Sequence, residues 1–127
     1  MTTLTYLYEL HNIYKSWLNE LALADDEITF FKVNLEKVLT ANNKLEITSQ
    51  VEQFQNQFIT HLNELQILRH DIKVAEKNLE QNISNNPVAA DHRKIAADQG
   101  LRERVQQFIK LFMDFKYNYN AFLSKTL

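Results

Sequence analysis

Ten positions in the first third of this chain fall on one stripe: Leu7, Leu10, Tyr14, Trp17, Leu21, Ala24, Ile28, Phe31, Leu35 and Val38. The steps between them alternate between three and four residues, and no member is polar. That spacing returns to the same side of an α-helix every two turns, so it predicts one long helix. A second stripe runs Val51, Phe54, Phe58, His61, Leu65, Leu68, Ile72, Ala75, Leu79, with His61 its one polar member. A third runs Leu101, Val105, Phe108, Phe112, Phe115, Tyr119, Phe122. Upstream of Gly100 the pattern slips, with Val88 and Ile95 on a different stripe, and a glycine inside a helix costs about 1 kcal/mol relative to alanine. A local distortion or a close helix crossing is expected there.

Two Asn-rich stretches separate the stripes, Ala41-Asn42-Asn43-Lys44 through Thr48-Ser49 and Asn82 through Pro87. Asparagine favours caps and turns over helix interiors. Ser49 and Glu52 have capping-box spacing, and Asn86 can cap a helix with Pro87 in its first position. The expected fold is an all-α, antiparallel up-down-up bundle of three long helices, at roughly 4–41, 49–84 and 87–124, each about 55 Å long. The alternative is a four-helix bundle with a break near 24–27, because the acidic run Asp25-Asp26-Glu27 resembles a helix start. The first stripe, however, crosses that run without losing phase. In general shape the three-helix arrangement is similar to spectrin-type bundles, a likeness that carries no function.

Side-chain size agrees with that topology. It places Phe30, Phe31, Phe54, Phe58, Phe108, Phe112, Phe115 and Phe122 at one end. Tyr6, Tyr8, Tyr14 and Trp17 lie level with Ala75, Ala89, Ala90, Ala96 and Ala97 at the other. Large facing small is how a core fills without voids. The first helix is apolar beyond its stripe, at Leu4, Tyr6, Tyr8, Ile13 and Leu18. A three-helix bundle needs a broad face, so most of this excess is expected to be core, and what remains of it is the candidate interaction surface. Ile59, Ile67 and Val74 also fall off the second stripe.

At 127 residues the chain makes a single domain, and with one glycine and one proline a turn-rich sheet protein is excluded. Fourteen basic against sixteen acidic side chains leave a net charge of −2, so no global field draws the protein to nucleic acid or an anionic membrane. The basic groups at Arg93-Lys94 and Arg102 to Arg104 are interrupted by Asp91, Asp98 and Glu103 and read as a solvated face of mixed sign. Cysteine is absent, which removes disulfides, thiolate metal sites and cysteine nucleophiles. No secretory signal and no membrane span is visible, so the expected location is cytoplasmic.

Candidate chemistry is sparse. The histidines are His11, His61, His70 and His92, with no Glu-x-x-His pair or His-Glu-x-x-His motif. His11 and His92 fall toward the opposite end from the phenylalanines, while His61 is near mid-bundle, so they cannot share an ion. No catalytic, cofactor or metal residue is assigned. His70-Asp71 and Asp91-His92 read as solvent-facing polar pairs. His61, in a core position, needs a partner for its imidazole. Asp25 falls at a similar level, so a buried polar contact between His61 and Asp25 is expected, the alternative being a tilted ring with its edge in water. The functional expectation is a non-enzymatic structural or adaptor protein that uses helix-face contacts with a protein partner or a second copy of itself, and binds neither nucleic acid nor membrane. The alternative is a ligand- or metal-binding bundle using the polar spot around His61 and Asp25.

Overall fold

The computed structural model describes the backbone of residues 3–42, 44–85 and 87–126, and the side chains of residues 6–42, 44–81 and 99–126. Three helices follow one another: α1, Thr3–Ala41; α2, Leu45–Asn85; α3, Pro87–Thr126. Every member of the α1 stripe is buried, none more than 7% exposed, and all seven members of the α3 stripe are buried too. Burying ten apolar side chains along one face is what holds a 39-residue helix against its neighbours, since most helical stability in proteins comes from packing an amphipathic face. α1 therefore runs unbroken through Asp25-Asp26-Glu27, and the four-helix alternative is excluded.

Contacts between helices set the directions. His11 meets Glu76 and Asp25 meets Arg69, so α2 descends as α1 rises. Glu27 meets Lys116, and the Asn42 side chain donates to the Thr126 carbonyl at 3.4 Å, so α1 and α3 run in parallel and end together. The Asn42 amide and side chain also donate to the Val38 carbonyl, at 3.0 and 3.2 Å, closing the last turn of α1.

The expected start of α2 near Ser49 is corrected to Leu45. The first intrahelical bond runs from the Thr48 amide to the Lys44 carbonyl, and the Ser49 hydroxyl donates back to the Leu45 carbonyl at 3.0 Å rather than capping. Ile47 explains the longer helix. It lies one four-residue step before Val51 and packs against the core, so its burial extends the stripe past the local capping signal. The distortion expected at Gly100 is absent. α3 is continuous there, φ is not positive, and a Cβ at Gly100 would meet nothing within 4 Å.

The aromatic end of the core is built as expected, with one exception. Phe31, Phe54, Phe58, Phe108, Phe112, Phe115 and Phe122 share a ring network with Tyr119. Phe30 does not join it and is 64% exposed. Tyr119 is fully buried, and its hydroxyl donates to the Phe31 carbonyl at 2.6 Å, a bond from α3 to the α1 backbone. Burial pushes that hydroxyl's pKa up to about 12, so it acts as a neutral donor. At the other end Tyr14 and Trp17 are buried, and the Arg102 guanidinium lies 5.4 Å above the Trp17 ring. Ala75 packs beside the core there. The side chains of Val88, Ala89, Ala90, Ile95, Ala96 and Ala97 lie outside the described residues.

Candidate functional site

In a heptad the residues flanking the core stripe form the seams between helices. On α1, His11, Leu18 and Asp25 are seven apart and line the edge toward α2, where Arg69 and Glu76 face them. Tyr6, Ile13, Glu20 and Glu27 line the opposite edge, toward Lys116 of α3. The third seam carries Asp71 of α2 against Arg104 of α3, at 2.8 Å. Asp25–Arg69 is 3.3 Å and Glu27–Lys116 2.8 Å. Each of these anions is thus held by a guanidinium or an ammonium. Partly exposed pairs of this kind contribute about 0–1 kcal/mol each, so their weight lies in selecting register.

Three of the five candidate surface residues of α1 are taken up by the bundle's broad core face. Tyr6, Ile13 and Leu18 are seam residues, partly buried against the core. Tyr8 alone of the group is shown open to solvent, at 56% exposure. The side chain of Leu4 lies outside the described residues. The large outward-facing apolar side chains of α1 are instead Leu23, Phe30 and Val33, with Leu39 at the margin. Ile59, Ile67 and Val74 are exposed on α2, and Leu111, Met113 and Tyr117 on α3.

His61 and Asp25 are not brought together. Asp25 sits on the α1–α2 seam, where the long stem of Arg69 reaches it. The His61 ring turns to α3 and packs against Phe115, Phe112 and Phe108, with centroids 4.9, 5.7 and 6.2 Å away. The imidazole is half-buried, and its other side opens on a shallow groove of about 490 Å³ between α2 and α3, bordered by Glu64, Gly100, Arg104 and Leu111. This is the tilted ring with a wet edge. Desolvation lowers its pKa from 6.5.

A pH dependence follows. The unfolded chain takes up a proton at the ordinary value, whereas the folded chain resists until the pH is lower. The His61 contribution to stability is therefore constant well above 6.5 and falls as pH drops from there through the lowered folded pKa. His61→Leu removes that slope. Denaturant titrations at about pH 5 and pH 8 should show the leucine variant gaining on the parent at the acid end. A gain equal at both ends would remove the desolvated imidazole as the cause.

Donor atoms do gather elsewhere. His11 Nδ1 lies 3.4 Å from Glu76 Oε1, and one ligand atom from each of His11, Glu76 and Glu80 lies within 4.8 Å of the others. His11 comes from α1, and the two carboxylates are one turn apart on α2. The heptad placed His11 on its own helix face but could not reveal its carboxylate partners, because they come from the antiparallel register. His70 is exposed on α2, and the His92 side chain lies outside the described residues.

Fold and seams together define an antiparallel three-helix bundle. No family model, curated protein or solved structure matches the chain. Among the described residues, no helix is long and apolar enough to cross a membrane.

Proposed function

We propose that this protein is a non-enzymatic structural or adaptor module of the cytoplasm that works through helix-face contacts, first of all with a second copy of itself. The observation that carries this reading is the outer face of α1. Leu23 is 62% exposed, Phe30 64% and Val33 48%. Leu23 and Phe30 are seven residues apart and Val33 is three further on, so they form one strip about 15 Å long. None of the three belongs to the core cluster of the bundle. Widely spaced apolar anchors on one helix face are what a partner helix grips, and exposed leucine and phenylalanine favour association when they are aligned rather than scattered. Asp26 lies on the same face between Leu23 and Phe30 and Lys37 beyond Val33, with Glu36 and Lys32 to the side, so the apolar anchors are interspersed with both signs of charge.

Sedimentation equilibrium at tens of micromolar tests the reading. The expected mass is twice the 15.0 kDa of the chain, returning to 15.0 kDa in the Leu23→Glu/Phe30→Glu variant with its helicity unchanged. A wild-type mass of one chain throughout that range, or a dimer indifferent to the double substitution, overturns it.

A further inference from the structure

We infer that His11, Glu76 and Glu80 form a binding site for one divalent metal ion of the zinc type, clipping α1 to α2. Three observations converge. The first is distance. Ligands about 2.1 Å from a tetrahedral ion lie about 3.4 Å apart, and His11 Nδ1 and Glu76 Oε1 already stand at 3.4 Å. The Glu80 carboxylate, with all three donors inside 4.8 Å, closes the remainder by rotation about its own side-chain bonds.

The second is donor chemistry. One imidazole nitrogen with two carboxylate oxygens suits zinc and its first-row neighbours, whereas calcium and magnesium take oxygen donors alone. Three protein ligands leave a fourth position for water. The third comes from comparing seams. The carboxylates of Asp25, Asp71 and Glu27 are 36–40% exposed, and each meets Arg or Lys. Glu76 is only 18% exposed, the most shielded of these anions, yet among the described residues its ion-pair partner is an imidazole. A carboxylate withdrawn from water needs a strong counter-charge, and a divalent ion on the imidazole lone pair supplies it.

Isothermal titration of the full chain with zinc chloride in a non-coordinating buffer, after chelator treatment, tests the site. One ion per chain is expected, with a rise in melting temperature of about 10 °C when free zinc is a hundredfold above its Kd. His11→Ala and Glu76→Gln should each weaken binding at least tenfold and abolish the thermal shift, and Glu80→Gln should also weaken it. His70→Ala, which removes an exposed imidazole elsewhere on α2, should change nothing. Cobalt(II) bound in place of zinc should give visible absorption bands that vanish in His11→Ala. No heat up to millimolar zinc overturns the proposal, as does undiminished affinity in His11→Ala or a loss confined to His70→Ala.

Discussion

Replacing Phe58 by alanine is expected to lower the unfolding free energy by about 3–5 kcal/mol. Phe58 is 1% exposed. Its ring lies 6.5 Å from Phe31 of α1, and 5.4 Å from each of Phe115 and Tyr119 of α3. One α2 side chain thus touches both other helices, and the Phe115 and Tyr119 contacts are edge-on, the favoured arrangement for aromatic rings. Truncation loses the transfer free energy of the ring and leaves a hole that three stiff helices cannot close. Domains of ordinary size have about 5–15 kcal/mol in total. For 127 residues the melting temperature should fall by about 10–18 °C. Phe30 is the internal control. It is the same residue type, next to Phe31 in the chain, and largely exposed. Phe30→Ala should stay within about 0.5 kcal/mol of the parent at low micromolar concentration. Urea titrations followed by circular dichroism separate the two outcomes. A Phe58→Ala loss no larger than that of Phe30→Ala would mean that the ring network is not packed as described.

The stripes were legible because a heptad is a statement about one helix. All ten α1 positions read from spacing are buried, and so are all seven on α3. What stayed hidden is what spacing along one helix does not encode. Residue type puts Phe30 with the other phenylalanines, although its position faces away from the stripe. Ser49 and Glu52 gave a sound local cap signal, but the burial of Ile47 outweighed it. The apolar excess beside the α1 stripe is what the broad face of a three-helix bundle needs, and Tyr6, Ile13 and Leu18 serve it, but spacing alone does not say that Tyr8 is left open. The heptad marks His61 as the polar exception of its stripe, but it does not say which neighbour a side chain turns toward. That choice went to the phenylalanines of α3. His11 with Glu76 was the least legible, since the pair exists only once two helices are laid side by side in register.

The acidic run in the middle of α1 yields the second large effect. Asp26→Pro should destabilise the protein by about 3 kcal/mol or more, while Asp26→Ala should lie within about 0.5 kcal/mol of the parent. The Asp26 side chain is exposed, so the contrast isolates the backbone. Proline removes the amide that donates one turn back along the helix, and its ring collides with that carbonyl. The resulting kink would lie in the turn between residues 22 and 26, next to the buried Leu21 and Ala24, and would lever one half of the stripe off the bundle. The run reads as a helix start only while its partners are unknown. Asp25 reaches across one seam to Arg69, and Glu27 reaches across the other to Lys116. At this level α1 is flanked by a cation on each side, which gives Asp25 and Glu27 partners in mid-helix. Had the chain reversed here, position 26 would fall in a first turn, where proline is accepted. Denaturant midpoints and helix content of the two variants decide the matter. A proline variant as stable as the alanine one would contradict a continuous α1, and the seams that depend on it would lose their register.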